Sequence, residues 1–171
     1  MDHDEDSKIN DVDFYFANEE VFKKAVTILE KSNYFEEGNT ERAVTYYGGF
    51  HCPRIQLIKF VYGTLTEVLE EFDFTIVKAG ISSTKLVEHN DYHTNLEYRL
   101  LRYTGSRLPL ASLARASKYV KYGYKFPALE MVAIVKDINA KVDLSDAVSV
   151  RYHIESFDPL RDENEETEDD F

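Results

Sequence analysis

Along the chain the apolar positions change period. In "VDFYF" (12–16) they are dense, aromatic and β-branched, which predicts a strand. The period lengthens in "NEEVFKKAVTILEKS", where Val21, Ala25, Ile28 and Leu29 recur at helical spacing, with Asn18 as N-cap and Glu19 and Glu20 in the first turn. "RAVTYY" and "RIQLIKF" read as strands joined by a hairpin loop in "GGFHCP". "TLTEVLEEF" predicts a short helix capped by Thr64 or Thr66, and "FDFTIVKAGIS" a further strand pairing with "KLVEH". From Pro109 the texture is helical. "PLASLARASKYVKYG" has Pro near its start, a stripe of Leu110, Leu113, Ala114 and Val120, and Gly123 as a stop. "PALEMVAIVKDINAK" predicts a second helix and "LSDAVSVRYHI" a short third element. The order β, α, β, β, α, β, then helices, predicts an α/β fold: a small mixed sheet with flanking helices and a helical C-terminal portion.

Length and charge refine that picture. The 171 residues suit one domain, expected over 9–154, between an acidic extension (1–8) and an acidic, disordered tail (155–171). A lone cysteine, Cys52, excludes an intramolecular disulfide, no run reaches the length of a membrane span, and "MDHDEDSKIN" lacks the basic start of a signal peptide. A cytoplasmic protein without a membrane partner is the expectation. The formal net charge is −12, but the acids crowd the ends. Between them, Tyr98 to Leu129 holds no Asp or Glu and carries Arg99, Arg102, Arg107, Arg115, Lys118, Lys121 and Lys125. A basic segment inside an acidic chain keeps anionic partners in play.

The most pointed chemistry is Asp11 and Asp13, one residue apart in a strand and so on one face. Two carboxylates in that arrangement can hold Mg²⁺ for phosphoryl chemistry, although a turn and a solvated strand start produce the same spacing. His89 and His93 in "HNDYH" sit among turn formers, and Cys52 has no local group to activate it.

In order and spacing, four stretches resemble the head domain of the class II nucleotidyltransferases, the bacterial poly(A) polymerases and CCA-adding enzymes of the polymerase-β-like superfamily. They are "NDVDFYF" with its following helix, "FDFTIVKAGI", "YRLLRYTG" and "PLASLARASKYVKYGYKF", spanning about residues 9 to 126. The "FDFT" and the lysine–tyrosine helix are also similar to small phage-encoded proteins with nucleotidyltransferase-like signatures. The resemblance implies a nucleoside triphosphate as ligand, Asp11 and Asp13 as metal-holding catalytic residues with Mg²⁺, and Asp73, Arg99, Arg102, Arg115 and Lys118 as nucleotide-binding residues. RNA, single-stranded DNA or a protein are the further partners it admits.

The departures are specific. The family's glycine turn, which receives the phosphates, has no counterpart among the ten residues before Asp11, and Gly48 and Gly49 fall after the strand. Phe72 and Val77 replace an arginine and an asparagine around "DFT", Ala111 replaces another arginine, and Arg115 is displaced by one position. Gln56 stands on the strand where superfamily members often place a third carboxylate. Two readings follow: a nucleotidyl-transferring domain, or a reduced, inactive domain that binds or inhibits, with acidic ends imitating nucleic-acid charge.

Overall fold

Alternation makes Asp11–Phe16 a strand, β1, with Val12, Phe14 and Phe16 toward one face and Asp11, Asp13 and Tyr15 toward the other. The chain then enters helix α1 (Glu19–Glu30), where the Asn18 side chain accepts from the Val21 N–H at 3.0 Å. That bond satisfies one of the helix's orphan donors, as the sequence predicts. The buried face of α1 is rotated from the predicted one. Phe22 is buried, with Ala25, Val26 and Leu29 beside it, while Val21 and Ile28 are exposed. Phe22 has the most apolar area to hide, and it packs edge-on against Phe16 at 5.6 Å.

Three more strands complete the sheet: β2 (Phe35–Asn39), β3 (Ala43–Tyr47) and β4 (Arg54–Tyr62). Their order is β1-β4-β3-β2, with β1 parallel to β4 and the β4–β3 and β3–β2 pairs antiparallel. The predicted β3–β4 hairpin is present. The polar "FEEGN" of β2 carries no alternating signal, and this strand forms at the sheet's edge by pairing with β3 alone. Phe16, Val44, Tyr46 and Leu57 line the sheet face that α1 covers. Helix α2 (Leu65–Glu70) follows a capping box in which the Thr64 N–H and hydroxyl donate to Glu67 at 2.7 and 2.8 Å.

This structure is a computed structural model, describing residues 9, 11–50 and 52–154; the acidic extension and tail lie outside the described residues. The chain divides into two compact units, Met1–Val68 and Leu69–Phe171.

In the second unit the strand predicted from Phe72 is interrupted. Phe74 makes a single bridge to Tyr103, Thr75–Val77 form one 3-10 turn, and only then do β5 (Ala79–Ile81) and β6 (Leu86–Glu88) pair, as the sequence predicts for "KLVEH". Two contacts impose the break. Phe74, fully buried, meets the rings of Tyr103, Tyr119 and Phe126, and the buried Asn95 amide donates to Thr75 Oγ1 at 2.7 Å. Burying that phenyl ring contributes about 1.5–3 kcal/mol, more than a weak local strand preference. Asn90 and Asp91 form the expected turn, closed by the Tyr92 N–H donating to the His89 carbonyl at 2.9 Å, and a short helix, α3 (Tyr92–Glu97), follows it.

Helices α4 (Pro109–Lys121), α5 (Ala128–Lys141) and α6 (Ala147–Ile154) match the three predicted elements. Gly123, at φ +86, follows α4 in the left-handed conformation that glycine adopts without penalty. The predicted apolar stripe of α4 is corrected. Ala111, Ser112 and Ala116 are buried, whereas Leu113 and Val120 are exposed, because small side chains allow α4 to approach the Phe74, Leu101 and Ile134 core closely.

Candidate functional site

The sheet face of the first unit on the side away from α1 is built by strand register. Asp11 lies opposite Arg54 and Asp13 opposite Gln56 across the parallel β1–β4 pair, and Gln56 lies opposite Thr45 across the antiparallel pair. Registered neighbours share a face, so Asp11, Asp13, Arg54, Gln56 and Thr45 stand on the side away from α1. Partial desolvation, then the charge of Asp11, raises the Asp13 carboxyl above its ordinary range. Tyr15, two residues on, has its phenol pushed well up by burial and then by Asp13. The face therefore concentrates negative charge that a cation would relieve.

Mg²⁺ is commonly held by one or two carboxylates together with substrate phosphates and waters. Asp11 and Asp13, two carboxylates on one strand face, fit that mode chemically. They do not form a cage by themselves: among the described residues no group of three or more His, Cys, Asp or Glu side chains is arranged around one point. The carboxylate expected from the superfamily is an amide, Gln56, directly beside Asp13.

Sequence reasoning passed over Arg54. Its Nε and Nη2 donate to the two carboxylate oxygens of Glu37 at 2.8 and 3.2 Å, and its guanidinium carbon sits 5.9 Å from the centre of the Tyr47 ring. Glu37 is the extra residue where the β2–β3 register shifts, a bulge that aims its side chain across the sheet. The arginine opens a readable strand, but its neighbour Asp11 is defined only by register.

The other predicted residues belong to the second unit, where the structure brings two of them together. Asp73, buried, accepts from Arg115 Nε and Nη2 at 2.8 and 2.6 Å, tying α4 to the segment before the 3-10 turn. Arg102 donates to Glu130 at 2.8 Å, and the other Glu130 oxygen accepts from the Tyr103 N–H at 2.9 Å. Arg99 has a left-handed backbone at φ +49 and donates to the Tyr122 carbonyl at 3.3 Å. Lys118 lies on an exposed position of α4. Arg115 alone of these four is seen to meet Asp73, while Arg99 and Arg102 have contacts elsewhere in the unit.

Tyr103 donates its hydroxyl to Asp137 at 2.8 Å; burial and then this bond push the phenol far above its usual range. Burial works against ionisation of Asp137, yet the bonds from Tyr103 and Lys141 hold its carboxyl below the ordinary value. A cleft of about 430 Å³ in this unit is lined by Glu71, Ser106, Arg107 and Lys141 among others, and its two cations are paired, Arg107 with Glu71 and Lys141 with Asp137. His89 and His93 have separate local contacts: His89 accepts from the Asp91 N–H, and His93 lies 2.8 Å from Glu88. Among the described residues no helix is long and apolar enough to cross a membrane.

Comparison with known proteins adds a family and a fold. The model of the Gad2 family, Gabija anti-defense 2 family protein, matches residues 4–99. A curated relative, "Gabija anti-defense 2" of Bacillus phage SPbetaL7, is 28% identical over 171 residues, and the match covers 93% of this chain and 42% of the relative. A CCA-adding enzyme in complex with ATP superposes with a TM-score of 0.57 at 14% identity, covering 95% of this chain and 42% of the enzyme. The Thermotoga maritima CCA-adding enzyme complexed with tRNA gives 0.55 at 14% identity, covering 93% and 42%. A tRNA nucleotidyltransferase complexed with a primer tRNA and an incoming ATP analog gives 0.54 at 15% identity, covering 79% and 43%. At these identities the likeness is one of fold. The chain spans about two fifths of the length of these relatives.

Proposed function

We propose, for a chain that belongs to the Gabija anti-defense 2 family, that it counteracts the defence named in that family through a nucleotidyltransferase-type head that binds a nucleoside triphosphate. The observation that carries this reading is the placement of Asp11 and Asp13 on one face of β1, within a fold shared with nucleotidyltransferases. Asp11 and Asp13 would hold Mg²⁺ with the triphosphate. Held there, the ion would supply Lewis-acid stabilisation of charge at a transferred α-phosphate and would lower the pKa of an acceptor hydroxyl. The strand holds the carboxylates in fixed relative positions, and their mutual repulsion favours cation binding.

On the second unit, Arg99, Arg115 and Lys118 are the proposed contacts for an anionic ligand, nucleotide or acceptor, with RNA and single-stranded DNA as the acceptors of matching charge. Arg102, with about half its side chain accessible beside Glu130, is a further contact. Asp73 serves this surface by orienting Arg115.

A second reading is favoured by Gln56: an amide where a third carboxylate would complete the metal site suits a head that binds without transferring. One experiment separates the readings. The protein is incubated with each labelled nucleoside triphosphate, Mg²⁺ or Mn²⁺, and RNA, and phage carrying the wild-type or Asp13→Asn gene are plated on cells with the Gabija defence. Label transfer lost in Asp13→Asn together with protection of the phage supports the enzyme. Protection retained by Asp13→Asn supports the binding head, and wild-type phage that plate no better than phage lacking the gene overturn the anti-defence reading.

A further inference from the structure

We propose that Arg54 is the phosphate-gripping residue of the Asp11–Asp13 face, and that Glu37 competes with a polyphosphate for its guanidinium. The inference rests on the triphosphate-binding reading above and names the side chain that would meet the ligand's anionic end. Arg54 is in register with Asp11 on the adjacent parallel strand, which sets the two backbones about 4.8 Å apart with their side chains on one face. Two carboxylates alone would repel a polyphosphate. A cation beside them, together with the metal ion, reverses the sign of that interaction.

The geometry of the guanidinium matches the task. Its Nε and Nη2 donate as a fork to the Glu37 carboxylate, and the same planar fork can donate two parallel hydrogen bonds to a phosphate. The Tyr47 ring, 5.9 Å from the guanidinium carbon, flanks it on the same side of the sheet and restrains where it points. The Arg54 side chain remains 52% exposed and that of Glu37 40% exposed, and exposed ion pairs of this kind are weak, so an incoming polyanion can take the carboxylate's place. Glu37 reaches Arg54 because the β2 bulge adds one residue to that strand, so the competing contact is set by the backbone.

The test is calorimetric titration of the full chain with inorganic tripolyphosphate and with each of the four ribonucleoside triphosphates, all in Mg²⁺, using wild type, Arg54→Ala, Arg54→Lys and Glu37→Gln. Arg54→Ala is expected to weaken binding at least tenfold. Arg54→Lys should recover part of it, since lysine keeps the charge and loses the fork. Glu37→Gln should tighten binding severalfold by removing the competing carboxylate charge, a gain that a fold-disrupting effect would not produce. Wild-type binding that is unchanged within twofold in both Arg54→Ala and Glu37→Gln overturns this inference and leaves the triphosphate reading standing. A wild-type chain that binds none of the probes overturns both.

Discussion

At the scale of single residues, Asp13 has the most to reveal. Its carboxyl is raised by partial desolvation and then by Asp11, so folding favours its protonated form. A raised carboxyl makes its best contribution to stability below the unfolded value and loses it as pH climbs through the folded one. Asp13→Asn is therefore expected to leave the melting temperature at neutral pH unchanged or slightly higher. Metal binding runs the other way, since the ion must displace the proton. Apparent Mg²⁺ affinity of the wild type should rise with pH beyond the range where an ordinary aspartate is fully ionised, and Asp13→Asn should flatten that rise. Parallel calorimetric titrations across pH check both. A melting temperature that falls sharply in Asp13→Asn would assign the side chain a structural role instead.

At the scale of elements, Asp73 and Arg115 show how one pair can set a helix. Two donors of Arg115 converge on one oxygen of a buried carboxylate, and α4 is tethered there to the segment leading into the 3-10 turn. Arg115 keeps 31% of its side chain accessible, so solvent screens part of the interaction, and Asp73→Asn is expected to cost about 2–3 kcal/mol rather than the full penalty of a buried pair. For a chain of this size that is a fall in melting temperature of about 5 °C or more, measurable by thermal denaturation. An unchanged melting temperature with lost nucleotide binding would move Asp73 from support to direct contact. The same packing explains why "FDFTIVKAGIS" is not one continuous strand: Phe74 turns inward to its aromatic neighbours, and Thr75 is held by Asn95.

For the whole molecule, charge is segregated along the chain. Seventeen residues after Ile154 carry nine acids and one base, and the acid-free stretch from Tyr98 to Leu129 carries seven cations. Tethering keeps the two at high effective concentration, while exposed charge pairs contribute about 0–1 kcal/mol each. Deleting the residues after Pro159 is expected to strengthen binding of RNA or single-stranded DNA at low salt, with the advantage shrinking at about 0.5 M, where screening acts within about 4 Å. Fluorescence anisotropy with labelled oligonucleotides across a salt series checks this. Equal affinities throughout would make the tail a solubilising extension only.

Much of this was legible in the sequence because it is local. A two-residue period places Asp11 and Asp13 on one face of any strand, Asn18 caps a helix through a bond to a residue three positions on, and Pro109 and Gly123 bound α4 through their own backbone preferences. Helical periodicity identified α1 and α4 but misplaced their buried faces. Whether Phe22 or Ile28 turns inward, and whether a helix approaches on alanine and serine or on leucine, depends on the surface packed against it. Arg54 beside Asp11 is the clearest case. Nothing near either residue specifies the other; the neighbourhood arises when β4, paired with β3 on one edge, accepts β1 in parallel on the other, so long-range register decides which charges share the face.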